Sequence, residues 1–429
     1  EEVAEVGDVL LNSSSGQVLP AKNVMVIDRG TGPQSIERTN QERVQRVSAE
    51  TEVTLSEAVA NVQSRLGEIK VPKDFAVGFG NEVEEQAKSF RQLQLVLVLA
   101  VLLAWSSPGR PVLAGGTAEK LFVRINGVTQ GLIISRRDHR TPVLLYLHGG
   151  MPEYFLARRH HACLEDDFTV CWWEQRGSGL SYVPGDPPPT LDQLLADTLA
   201  VTDYLRARFA VDRIYLMGHS GGTYLGMLAV ARAPTMYHAY VAVAQMASQR
   251  RSEERAHRYM RERFAAQGEV KWLRRLEEAP VLSTAYYRLR DRAMHRLGVG
   301  TTRAMRSVFT GIFLASLQCR AYTLAEKVRL WRGKSANGIS SLWTDMLDHE
   351  LAAGVPAVDV PVYFLHGAHD YTCTYAEARA YFAALRAPVK AFYTFPDAAH
   401  SPHFEDPVRT QRILRMDVLR GETTLADGR

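Results

Sequence analysis

Six short apolar runs punctuate the stretch from residue 142 to residue 395: "PVLLYLHG", "FTVCWWEQ", "RIYLMGHS", "AYVAVAQM", "VPVYFLHG" and "KAFYTF". Each is rich in Val, Ile, Leu and aromatic residues, and none alternates regularly with polar ones. Strands covered on both faces read this way, because each side chain meets a packed layer. Between two runs lies "TLDQLLADTLAVTDYLRARF", where Leu191, Leu194, Leu195, Thr198, Thr202, Leu205 and Phe209 form a helical stripe. Thr190 and Gln193 have the spacing of a capping box, which starts that helix after three prolines. Strand, helix, strand in this order predicts an α/β fold with a doubly wound, mostly parallel sheet. "KLFVRINGVTQGLIISRR" ahead of it predicts a two-stranded start. With 46% hydrophobic residues in 429, the chain can fill a sizeable core.

The alternation stops between residues 248 and 355. Only helical patterning follows, as in "EERAHRYMRERFAAQ", "TAYYRLRDRAMHRL" and "AYTLAEKVRLW". Helices inserted before the last two strands form a cap over the carboxyl ends of the sheet, the edge where ligands bind in open α/β sheets. The predicted organisation is a core of 117–247 and 356–425, a cap of 248–355, a linker of 93–116, and an N-terminal α+β fragment of 1–92. Charge separates the parts: residues 1–92 carry net −5 and the remainder net +9. This split speaks for two parts of different origin rather than for nucleic-acid binding. The mixed run "SQRRSEER" reads as a solvated helix face.

The chemistry gathers at "LMGHSGGTYLG". A G-x-S-x-G alone is a weak signal. Here it joins a strand to a helix rich in small residues, and the turn needs Gly218 and Gly222 because side chains there would clash. That places Ser220 as a candidate nucleophile at the sheet top. A serine hydroxyl needs a base to take its proton. His400, after the last strand, suits that role, with His403 as rival. His219 sits beside the serine and is expected to face away; His148 reads as structural. A carboxylate must orient the base. Asp370 follows "VPVYFLHGAH" at a strand's carboxyl end, and Asp397 is the weaker contender. Two N–H donors must meet the developing oxyanion; Gly221 and Gly150 are the candidates.

These residues resemble an α/β hydrolase of the proline iminopeptidase-like family. "LLYLHGG", "WWEQRGSGLSY", "LMGHSGGTYLG", "FLHGAHDYT" and "AHSPHFEDP" carry the likeness over about residues 117–425. The resemblance implies the triad order Ser220, Asp370, His400, an acyl-enzyme and no cofactor or metal. It implies a small-molecule or short-peptide substrate: N-terminal proline for the namesake members, esters for relatives. Two departures stand out. The family's H-G-G-P-G is "HGGMPEYF" here, which bears on the oxyanion loop. Its D-Q-R-G is "EQRG", which puts Glu174 where a hydrogen bond near Arg176 is at stake. Recognition of a free α-amine would need cap acids, for which Glu253, Glu254, Glu262, Glu277 and Glu278 are on offer.

Residues 1–105, from "VGDVLLNSSSGQVLPAKN" to "LQLVLVLAVLLAW", resemble a fragment of the resistance-nodulation-division efflux pumps, a periplasmic loop leading into a membrane helix. Without the pump's proton-relay carboxylates, no transport is expected. The segment reads as a fusion remnant or as a tether; the alternative to an enzyme is a pump-derived tethering protein with a non-catalytic hydrolase fold, for which the short "HGGMP" loop speaks. Its unbroken apolar run, Leu95 to Trp105, spans roughly 17 Å as a helix, short of a hydrocarbon core of about 30 Å. A run of this length, 93–105, suits peripheral contact with a membrane surface or with another helix. No signal peptide is recognised. Cys163, Cys171, Cys319 and Cys373 match neither a zinc site nor a redox pair, so free thiols and a cytoplasmic location are expected.

Overall fold

The computed structural model describes Leu113 and residues 115–428, with only short stretches before them. The chain divides into two compact units, Glu1–Glu85 and Gln86–Arg429. In the first, strand Leu10–Asn12 pairs antiparallel with Val18–Pro20, and Glu37–Thr39 with Glu42–Val44. Apart from Val96, the apolar run of 93–105 lies outside the described residues. Among the described residues no helix is long and apolar enough to cross a membrane.

The second unit is built on one eight-stranded sheet. Its strands are β1 (Thr117–Ile125), β2 (Val128–Arg136), β3 (Val143–Leu147), β4 (Thr169–Glu174), β5 (Ile214–His219), β6 (Tyr237–Val243), β7 (Val362–Gly367) and β8 (Lys390–Phe395). Their order is β8-β7-β6-β5-β3-β4-β2-β1. The β1–β2 hairpin and the β2–β4 pair are antiparallel, and the other pairs are parallel. Asn126 and Gly127 make the hairpin turn, both with positive φ, which suits the twist of the flanking strands. This is the α/β-hydrolase arrangement.

The unbroken apolar runs follow from two covered faces. In β3, Val143, Leu145 and Leu147 enter one hydrophobic layer, while Leu144 and Tyr146 enter the other. Helix α1 (Leu191–Phe209) covers the first layer and carries the expected Thr190–Gln193 capping box. Helix α2 (Gly221–Arg232) leaves directly from β5.

All described elements between β6 and β7 are helical. Three of them, α3 (Gln249–Ala266), α4 (Val270–Glu277) and α5 (Thr284–Leu297), share a small core of their own around Met260, Phe264, Tyr286 and Met294. Further along the cap lie α6 (Leu324–Asn337) and α7 (Trp343–Asp348).

Two sequence expectations are corrected here. The run "SQRRSEER" is not wholly a solvated face: Gln249, Ser252 and Glu253 are buried where α3 meets α5 and the core. Glu253 can be buried because Arg290 grips it with two bonds of 2.6 Å, while Tyr286 and Gln249 also donate to it. Glu174 also makes different contacts from those expected. Its carboxylate accepts from Tyr322 of the cap and from the Leu180 N–H. Arg176 turns instead to Asp197 in a two-pronged pair of 2.7 and 2.9 Å. Burial pushes the Glu174 carboxyl up to about 7.

Candidate active site

Strand β5 ends in the sheet centre, and the chain reverses at once into α2. Ser220 occupies the turn with φ 56° and ψ −127°, a conformation that L residues rarely adopt. Strain of this kind costs roughly 1–3 kcal/mol and persists only where the surroundings impose it. They do so here. A Cβ on Gly218 would fall 2.6 Å from the Gly222 carbonyl oxygen, and one on Gly222 would lie 2.7 Å from that of His148. Both glycines are therefore sterically required. The Ser220 N–H is tied to the Val243 carbonyl at 3.1 Å, and the Ser220 carbonyl accepts from Thr223 N–H at 2.8 Å.

Asp370 follows β7 and is fully enclosed. Its Oδ1 accepts from the Thr372 and Cys373 N–H groups at 2.8 and 3.0 Å. Its Oδ2 stands 2.9 Å from His400 Nδ1, with His366 Nε2 at 3.3 Å. Burial alone would raise the carboxyl, but the two imidazoles and these hydrogen bonds hold it below the usual carboxylate range. An ionised Asp370 requires the proton on His400 Nδ1, which leaves Nε2 as a free base. Burial keeps His400 below its ordinary value despite the pull of Asp370, and the His219 ring acts in the same direction. The Cys373 thiol touches the Ser220 side chain, so the Asp370 loop and the elbow meet.

The loop after β3 closes the other side. Gly149 makes the near approach: a Cβ there would sit 2.7 Å from Ser220 Cβ and 3.1 Å from its Oγ. Gly150 comes next and faces the cap, where Lys334 Nζ of α6 reaches its carbonyl at 3.1 Å and that of Ile339 at 3.0 Å. Gly221 begins α2, beneath Met346 and Ser340. Of the loop residues it is thus Gly149 that approaches the Ser220 side chain, whereas the neighbours of Gly150 belong to the cap; Gly221 directly follows the serine at the start of α2.

The remaining candidates have other surroundings. His148 is structural: its Nε2 accepts from the Gln175 N–H at 3.1 Å, which joins the ends of β3 and β4, and burial pushes it down to about 4. Asp397 is exposed. His403, the rival base, is enclosed behind the elbow against Tyr146 Oη at 3.0 Å, and burial holds it far below its ordinary value. Of the five cap acids, Glu253 is already paired, and Glu254, Glu262, Glu277 and Glu278 are exposed.

Sequence reasoning missed one group. Glu153, from the departing "MPEYF" segment, lies 2.8 Å from Nδ1 of His219. The signal was present in the string itself: an acid inside an otherwise apolar segment must find a partner when buried. With His403, these residues bring donor atoms within 4.8 Å of one another, the cluster of metal-ligating types found among the described residues. Their facing atoms are already joined by hydrogen bonds, directly or through Tyr146.

The strained turn holds a hydroxyl at the same sheet edge that carries a carboxylate-oriented imidazole, groups of the kind used in nucleophilic attack on a carbonyl. Comparisons with known proteins give the chain its relatives. Residues 139–407 match the family described as Serine aminopeptidase, S33. Residues 1–106 match the AcrB/AcrD/AcrF family. The chain is 28% identical over 289 residues to the probable aminopeptidase YbaC of Bacillus subtilis (strain 168), covering 66% of this chain and 91% of that protein. The crystal structure of proline iminopeptidase from Mycobacterium smegmatis shares the fold with a TM-score of 0.55 at 18% identity, over 70% of this chain and 98% of that one. That of VinJ does so at 0.51 and 19% identity, over 71% and 98%.

Proposed function

Because the chain belongs to the serine aminopeptidase family S33, among the α/β hydrolases, we propose that it is a serine hydrolase acting on an ester or amide through an acyl-enzyme. Its sharpest form is an aminopeptidase that removes N-terminal proline. Ser220 Oγ attacks the carbonyl while His400 Nε2 takes its proton. Asp370 holds the imidazolium, and the N–H groups of Gly150 and Gly221 receive the oxyanion. His400 then returns the proton to the leaving group, and water releases the acyl group by the same steps. The observation that carries this reading is the Asp370–His400 bond of 2.9 Å at the sheet edge where Ser220 is held in its strained turn.

A carboxylesterase is the second reading, and one observation favours it. Glu253 is neutralised by Arg290, and the cap acid beside it, Asp291, is paired to the same arginine at 2.8 Å. A substrate amine therefore meets acids that already have a cation. A prolyl amide and its N-acetylated form separate the two readings. An aminopeptidase should lose at least about 100-fold in kcat/KM on acetylation, because its amine-binding groups are left unpaired. Equal rates would remove the peptidase and leave the esterase.

Residues 1–105 are read as an efflux-pump-like segment with no part in hydrolysis, either a fusion remnant or a tether. A chain lacking them is expected to keep its rate of hydrolysis, measured on a small ester. A tether would lose its place in the cell while the rate stays; loss of the rate would give the segment a catalytic part.

A further inference from the structure

The enclosed group behind the elbow is not used by the mechanism above. His219 immediately precedes Ser220. Its Nδ1 faces both oxygens of Glu153, at 2.8 and 2.9 Å, and its Nε2 lies 2.9 Å from the backbone carbonyl of His400. Its ring centre is 4.9 Å from that of His400. Tyr146 Oη donates to Glu153 Oε2 at 2.6 Å and stands 3.0 Å from His403 Nε2. All four side chains are buried.

Proton placement follows from donor and acceptor chemistry. A carbonyl oxygen can only accept, so His219 Nε2 carries a hydrogen. Glu153 already accepts from Tyr146, and an ionised Glu153 needs a hydrogen on His219 Nδ1 as well. Burial opposes both charges, yet their mutual attraction overcomes it: Glu153 is held below its ordinary value and His219 above. His219 is then an imidazolium with two committed N–H groups, while His403 and Tyr146 stay neutral.

We infer that Glu153 and His219 are positioning residues for the triad histidine: a buried carboxylate–imidazolium pair that clamps the His400 carbonyl and sets a fixed positive charge beside its ring. The inference rests on the reading of His400 as the base for Ser220. The clamp fixes the backbone from which the imidazole projects. The charge discourages protonation of the resting base, so His400 stays free to accept the Ser220 proton at lower pH. It also gives the departing "MPEYF" loop a task, since that loop supplies the anion that makes the cation tolerable.

Several other titratable groups surround His400. Asp370 and His366 come from the β7 side. His403 and Glu405 come from the helix Pro402–Glu405. From the cap comes His295, whose ring packs on Gly300, the acceptor of the His400 N–H. Arg303 gives its backbone N–H to Glu405. Burial pushes Glu405 up to about 7, so it titrates in the same window. It does so with and without the pair, and the test is therefore a difference between variants.

Glu153→Gln is nearly isosteric. Its oxygen can accept from Tyr146 and its amide can donate to a neutral His219 Nδ1, so every bond persists while both charges vanish. The first arm reads the imidazole nitrogens by NMR at pH 8 in Ser220→Ala and in Ser220→Ala/Glu153→Gln. One histidine with both nitrogens protonated is expected in the former and none in the latter. Absence of such a ring in Ser220→Ala overturns the pair, whether or not the protein is an enzyme. The second arm follows fluorophosphonate labelling of the full chain against pH. Glu153→Gln should move the acid limb upward by about 0.5–1 pH unit, because a nearby cation no longer opposes His400 protonation. A lower plateau with an unmoved limb would mean support of the fold only, and would overturn the electrostatic role. An unlabelled wild type would overturn the nucleophile reading, leaving the NMR arm to judge the pair alone.

Discussion

Alanine at Ser220 is expected to abolish labelling by a fluorophosphonate and to lower hydrolysis of a small ester by roughly 10⁵–10⁶. The size follows from what is removed. Without the hydroxyl no acyl-enzyme can form, and the imidazole of His400 has no bound proton to take. What survives is binding and oxyanion stabilisation, worth about 10³–10⁴ over water in enzymes of this design. The fold should persist, since Gly218 and Gly222, not the serine hydroxyl, permit the turn. Gel fluorescence of the labelled chain, with a melting curve for each protein, reads both consequences. Equal labelling of the alanine variant would place the reactive group elsewhere and end the reading of Ser220 as nucleophile.

Arg290→Met is expected to destabilise the fold by about 3–5 kcal/mol, the usual cost of leaving a buried charge without its partner. Glu253 is 0% exposed, and Arg290 supplies two of its closest hydrogen bonds. Tyr286 and Gln249 remain, but neutral donors cannot replace a guanidinium. A loss of this size is a large share of the 5–15 kcal/mol that typically holds a domain together. The pair joins α3 to α5, so the cap should loosen first. Replacing both partners, as Glu253→Leu with Arg290→Met, should recover most of the loss, since an apolar pair leaves no stranded charge. Urea unfolding of the three proteins provides the check. If the single variant unfolds with the wild type, solvent reaches Glu253 and the pair is not a structural lock. Its strength also bears on substrate choice, because a carboxylate locked to Arg290 has little left for an amine.

The sequence by itself determined the parts that local rules govern. Runs of Val, Ile, Leu and aromatics became the central strands because each must bury both faces. Thr190 and Gln193 became a capping box because three-residue spacing brings side chain and backbone together. The turn at Ser220 was legible because only glycine fits where β5, the loop after β3 and α2 crowd. Asp370 and His400 were legible as a pair because each follows a strand that ends at the same edge. Partner choice among buried charges was not legible, and only the tertiary structure decided it. Glu153 meets His219 across 66 residues, Glu253 meets Arg290 across 37, and Glu174 meets Tyr322 across 148. Periodicity shows which face of an element turns inward, but not which cation or hydroxyl awaits an acid there. The mixed charges of "SQRRSEER" could read as a solvated face for that reason. Desolvation makes an unpaired buried charge intolerable, so each acid took the partner that packing brought within reach, and packing is a property of the whole fold.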